Sequence, residues 1–126
     1  MKTESGIPKP PMTGAELIVA ERERQMSEEG FDAEHDDDAY HRGGELALAA
    51  ACYAAPVPIY TEDDSPGRFI FTDAWPHTWE HRWDKRRRGN WDLLPNRELP
   101  VHEQIRNLVK AGALIAAEID RLQRMK

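Results

Sequence analysis

The 126-residue sequence predicts an all-α protein: a helical-bundle subunit with a loop-rich insertion, its core completed by oligomerisation. Three observations predict this class. Ile105, Leu108, Val109, Gly112, Ile115, Ala116, Ile119 and Leu122 recur at the three-and-four spacing of an amphipathic helix. The run from Glu45 to Ala55 is rich in alanine, the strongest helix former, and Pro56 and Pro58 stop it. Thr13 and Glu16 stand three apart, as in a capping box.

Residues 1–12 hold several prolines and a glycine and read as a flexible arm; residues 13–126 form a single domain. The first helix runs from Thr13 to about Glu29, where Gly30 can end it. Leu17 and Ile18 begin a stripe on it that turns polar at Glu21, Gln25 and Glu28, which is unusual for a merely structural helix. Residues 30–44 are dense in acid. The helix that follows is apolar on every side, so it is expected to be buried in a bundle or a subunit interface. Residues 56–100 are an irregular insertion. A short hairpin is expected there, with Ile59 and Tyr60 on one side of the Thr61 to Gly67 turn signals and Arg68 to Phe71 on the other. Trp75, Trp79, Trp83 and Trp91 come next, interleaved with Lys85 to Arg88.

The formal charge of −6 argues against a nucleic-acid partner, since tracking a phosphate backbone needs a basic face. An acidic protein still binds a phosphorylated small molecule where a metal ion supplies positive charge. The lone cysteine, Cys52, excludes an internal disulfide framework and fits a reducing cytoplasm. Residues 1–13 carry no signal-like apolar stretch, and the longest apolar run, Leu46 to Val57, is too short to span a bilayer. A cytoplasmic protein with no membrane partner is expected.

Two constellations carry chemistry. The first is Glu34, Asp36, Asp37 and Asp38 followed by Glu45, a set of hard oxygen donors suited to a cation such as Mg²⁺. Glu45 opens an apolar helix, so it either ligates a metal or complements the helix N-terminus, a contribution of about 0.3–1 kcal/mol. The second is Glu21, Arg22, Gln25 and Glu29. Glu21 and Gln25 are neighbours on one helix face, where they supply ligands, hold a nucleobase edge, or form an exposed charged surface. The tryptophans either stack on a base or pack on the bundle. Lys110, on the apolar side of the last helix, either snorkels to solvent or meets a phosphate or carboxylate. His35 and His41 lack partners at zinc spacing, no nucleophile stands beside a base, and no Gly-rich phosphate loop occurs.

Glu21-Arg22 with Gln25, Glu29-Gly30-Phe31, Glu34-His35-Asp36-Asp37 and Gly44-Glu45-Leu46-Ala47 with Ala50 and Tyr53, then Trp75-Pro76 and the Leu108 to Ile119 run, together resemble the phage MazG-like nucleotide pyrophosphohydrolases. That group includes the dATP/dGTP diphosphohydrolases of MazZ type. The resemblance covers roughly residues 14–125 and is weakest over 56–100. It implies an all-α homodimer or homotetramer in phage nucleotide-pool metabolism, in the host cytoplasm. It also implies Mg²⁺ or Mn²⁺, a water nucleophile, and a purine deoxynucleoside triphosphate as substrate, dGTP first and dATP second. Carried onto this chain, it makes Glu21, Glu34, Asp37 and Glu45 metal ligands, and Asp38 or Glu29 the general base. Gln25, Lys110 and Trp79 become substrate contacts, with Arg86 to Arg88 near the pyrophosphate. One departure stands out: Leu48 occupies the place of the aspartate that the wider superfamily has on its second helix. That departure supports the alternative reading, a non-catalytic oligomeric helical interaction protein that retains the scaffold.

Overall fold

The computed structural model describes residues 12–29, 44–63, 70–89 and 92–125. Among these, three helices and one hairpin make up the regular structure: α1 (Gly14–Glu28), α2 (Glu45–Ala54), β1 (Tyr60–Asp63), β2 (Ile70–Asp73) and α3 (Val101–Arg124). The chain is therefore mostly helical, with a small two-stranded sheet added.

The helix ends follow from local chemistry. The Thr13 hydroxyl accepts from the Glu16 amide at 3.2 Å, and the Thr13 amide donates to Glu16 Oε1 at 2.8 Å, so the capping box forms. Gly44 leads into α2 at φ +89°, a left-handed conformation that side-chain-bearing residues rarely adopt. At the other end of α2, Asn96 Nδ2 donates to the carbonyls of Tyr53 (2.6 Å) and Ala55 (2.8 Å), groups a helix terminus leaves unsatisfied. Asn96 Oδ1 in turn accepts from Asn107 on α3, which accounts for that buried polar residue.

α3 packs along both other helices, with a face that differs from the expected one. Ile105, Leu108, Ile115, Ile119 and Leu122 remain 46–52% exposed. The buried face carries Asn107, Ala111, Leu114, Ala117 and Arg121 instead. The physical reason lies on α2, which contributes Ala49 and Ala50 to the same core. Small residues on both helices let their axes approach closely. α2 is likewise one-sided: Leu46, Ala49, Ala50, Cys52 and Tyr53 are buried, whereas Ala47, Leu48 and Ala51 are exposed. Its uniform apolarity overstates its burial. Cys52 sits in the core as a small filler, and burial pushes its thiol up to about 11.

α1 meets α3 at Gly112, where a Cβ would lie 2.5 Å from Ile18 Cδ1 and 2.7 Å from its Cγ1. A rotation about χ1 that moves this arm away also swings Cγ2, itself 3.2 Å off, and a β-branched side chain has few other rotamers in a helix. Gly112→Ala is therefore expected to destabilise the fold by about 1–3 kcal/mol. The double variant with Ile18→Ala should recover part of that loss in urea unfolding.

β1 and β2 pair antiparallel, with Tyr60 opposite Asp73, and β1 runs on through Thr61, Glu62 and Asp63, which were expected in the turn. Beyond β2 the chain turns into the core, burying Ala74, Trp75 and Trp79. Tyr53, Trp75, Trp79 and Trp83 form a chain of edge-to-face contacts, with ring centroids 5.7, 5.5 and 5.5 Å apart in turn. Each such pair adds about 0.5–1.5 kcal/mol beyond area burial. Arg86 ties the segment down, pairing with Asp73 at 2.6 Å and Asp84 at 2.7 Å and lying 4.9 Å from the Trp75 ring centroid.

Candidate functional site

A cavity of about 270 Å³ opens between α1, the end of α2, the tryptophan segment and α3. α1 contributes Glu21, Arg24, Gln25 and Glu29, all on the side where its stripe turns polar. α2 contributes Tyr53, and α3 contributes Lys110 and Leu114, one turn apart. The connecting segment supplies Trp75, Trp79, Arg82, Trp83 and Lys85. One wall is thus aromatic, and the other carries charges of both signs.

The charged wall is organised around Arg24. Its Nε and Nη2 donate to the two oxygens of Glu21 at 2.9 and 2.8 Å, and Nη2 also reaches Glu29 at 3.1 Å. Gln25 Nε2 donates to Glu21 Oε2 at 3.0 Å. The Arg24 hydrogen bonds hold the Glu21 carboxyl below the usual range against the opposing effect of burial, with Gln25 adding to the depression. Arg24 is raised by the same pairing. Lys110 Nζ lies 5.6 Å from the Tyr53 ring centroid. Burial pushes this ammonium below the ordinary lysine value, partly offset by Glu21. The Tyr53 hydroxyl, pushed up to about 12 by burial, accepts from the Lys85 amide at 2.9 Å.

Of the residues singled out from sequence, Glu21, Gln25, Glu29, Trp79 and Lys110 line this one cavity. Glu45 opens α2, half-buried, and is not among the lining residues. Glu34, Asp37 and Asp38 lie outside the described residues, as does Trp91. Arg22 turns away from the cavity and meets Asp120 of α3 at 3.6 Å. The expected pyrophosphate cluster is otherwise engaged: Arg86 holds Asp73 and Asp84, Arg87 holds Glu103 at 2.7 Å, and Arg88 reaches Asp84 at 3.6 Å. None of the three lines the cavity. The cations that do line it, Arg24, Arg82, Lys85 and Lys110, include Arg24 and Arg82, which the sequence reading missed. Arg24 had one signal, its three-residue spacing from Glu21. Tyr53 was signalled only through the family resemblance, since an aromatic ending an apolar helix otherwise reads as core.

Among the described residues, no group of three or more His, Cys, Asp or Glu side chains comes together to hold a metal ion. Glu21 and Glu29 do converge, both on Arg24 Nη2. Their oxygens are hard donors of the kind Mg²⁺ or Mn²⁺ takes, and here the Arg24 guanidinium occupies them. No described helix is long and apolar enough to cross a membrane. Compared with protein-family models, curated proteins and solved structures, the chain matches none.

Proposed function

We propose that the protein is a metal-dependent nucleoside triphosphate pyrophosphohydrolase acting on a purine deoxynucleotide, dGTP first and dATP second. The observation that carries this reading is the convergence of Glu21, Gln25, Glu29, Trp79 and Lys110 on one cavity with an aromatic wall and a charged wall. A base with a triphosphate asks for such a division: a flat apolar face for the ring and cations for the phosphates.

In this mechanism Trp79 and Trp83 offer the base their aromatic surface, and Lys110, with Arg82 and Lys85, offsets the phosphate charge. Glu21, joined by Glu34, Asp37 and Glu45, would hold Mg²⁺ or Mn²⁺. When bound, such an ion lowers the pKa of a water molecule and neutralises the triphosphate. Water adds to the α-phosphorus and the bond to the bridging oxygen breaks, giving the monophosphate and pyrophosphate. The water's proton passes to a carboxylate, Glu29 or Asp38. No covalent enzyme intermediate is required. The test is incubation of the full chain with each deoxynucleoside triphosphate and Mg²⁺ or Mn²⁺, with pyrophosphate measured. Absence of turnover with all of them would sink the reading. Glu45→Gln is expected to abolish turnover and leave the far-UV spectrum unchanged; near-normal activity would make Glu45 a helix cap.

The exposed side of α3 supports self-association as part of the same reading. Val101, Ile105, Leu108, Ile115, Ile119 and Leu122 stand exposed along it, interrupted at Gly112 where Ile18 of α1 packs, and apolar surface of this kind suits packing against a second copy. Ile115 and Ile119 are 47% and 50% exposed at its centre. The protein is expected to sediment as a homodimer or homotetramer, and Ile115→Glu to shift it to monomer at micromolar concentration. An assembly that forms without turnover would favour the non-catalytic interaction protein instead.

A further inference from the structure

Two residues that line the cavity each hold a polar atom with no hydrogen-bond partner among the described residues. Gln25 is 3% exposed and Trp75 is 7% exposed, and both line the cavity. Gln25 Oε1 and Trp75 Nε1 are buried without any hydrogen-bond partner among the described residues. The orientation of the Gln25 amide is set by its neighbour. Ionised Glu21 only accepts hydrogen bonds, so the Gln25 NH₂ must face it, at 3.0 Å. This leaves Oε1 as an acceptor and the indole N–H of Trp75 as a donor. An unsatisfied buried polar group is costly, and a ligand that satisfies it recovers that cost on binding.

We propose that Gln25 and Trp75 together read the six-position edge of a purine. Gln25 Oε1 accepts an N–H from the base, and Trp75 Nε1 donates to the acceptor beside it. Adenine presents such a pair as its amino group beside a ring nitrogen, and guanine as its ring N–H beside the six-oxo group. The Tyr53, Trp79 and Trp83 rings supply apolar surface around that edge. The inference rests on the nucleotide reading of the cavity. It assigns base selectivity to the buried Gln25 and Trp75 side chains. A base lacking the N–H would leave Gln25 Oε1 buried and unpaired, which is how a polar site rejects an analogue.

The test measures binding apart from chemistry. Quenching of tryptophan fluorescence is titrated with α,β-methylene triphosphates, which cannot be cleaved at the relevant bond, in the presence of Mg²⁺. The dATP form is compared with its purine deoxyriboside counterpart, which lacks only the amino group. The dGTP form is compared with its 2-aminopurine counterpart, which lacks the six-oxo group and the ring N–H. For whichever parent binds tighter, its stripped counterpart should bind on the order of 10- to 100-fold more weakly to the wild type. Gln25→Met keeps the length of the side chain without its acceptor and should shrink that gap to about 2-fold or less. Trp75→Phe keeps a ring in the core without its donor and should weaken the tighter parent on its own, so the proposal does not hang on one variant. Equal binding of parent and stripped base overturns it. So does a Gln25→Met protein that discriminates like the wild type, or a Trp75→Phe protein that binds the parent unchanged. Turnover without discrimination sinks this inference alone. Discriminating binding without turnover of the natural nucleotides sinks the hydrolase reading and keeps the base reader, and failure to bind any nucleotide sinks both.

Discussion

Replacing Lys110 with methionine is expected to cut turnover by roughly 100-fold or more while leaving the fold as stable as before, or more so. The two effects have one source. Lys110 is half-buried between Glu21 and the Tyr53 ring, and burial depresses its pKa. Its ammonium is thus held where charge is costly, which suits a group that awaits an anionic ligand. The pH dependence has a definite sign. A lysine whose folded-state pKa is lowered reduces stability fully below that pKa, and the deficit fades as pH rises toward the ordinary value of 10.5. The stability gained by Lys110→Met should therefore be largest near neutral pH and disappear by about pH 10.5 in urea titrations. Glu21 behaves oppositely: its lowered pKa adds stability above the ordinary carboxylate value, lost as pH falls through the depressed one. A variant that lost activity and stability together at every pH would make Lys110 a packing residue.

Arg86→Met is expected to remove about 3–5 kcal/mol of folding stability, a large share of the roughly 5–15 kcal/mol a domain of this kind possesses. The Arg86 side chain is 7% exposed, and its partners Asp84 and Asp73 are 8% and 28% exposed. Both carboxylates are held by the same guanidinium, which donates from Nε and Nη2 to Asp84 and from Nη1 and Nη2 to Asp73. Methionine fills similar volume and removes the only charge shown joining the pair. The two carboxylates are then left close together with like charge. Arg86→Lys should recover only part of the loss, because an ammonium cannot span two carboxylates with a planar fork. Equilibrium urea unfolding of the three proteins checks the order. A loss below about 1 kcal/mol for Arg86→Met would mean the cluster is well solvated.

What could be read beforehand was what local chemistry decides. Thr13 and Glu16 announce a helix start through three residues, and Pro56 ends α2 because it has no N–H to give. The polar turn in the first helix's stripe was readable too, since nothing structural asks for Glu21 and Gln25 on that side. The facing of α3 was not readable. Its isoleucines report that apolar surface needs covering but not by what, and the alanines of α2 took the intramolecular face. Arg86 misled for a similar reason. Beside Arg87 and Arg88 it looks like a basic patch, and its pairing with Asp73 depends on a chain reversal that the local sequence does not encode. The acidic stretch that holds two of the four expected metal ligands lies outside the described residues, so Glu34, Asp37 and Asp38 rest on the sequence alone.

Tyr53 has a consequence for how such a site can drift over generations. Its carbonyl accepts from Asn96, its hydroxyl accepts from the Lys85 amide, its edge meets Trp75, and its face meets Lys110. A substitution there disturbs a helix end, a loop and the cavity at once, so few replacements are tolerable. Arg82, at the same cavity, is exposed and pairs with nearby Glu80. Descendants with altered ligand preference are therefore expected to differ first at positions such as Arg82, with Tyr53 left as the fixed point around which they vary.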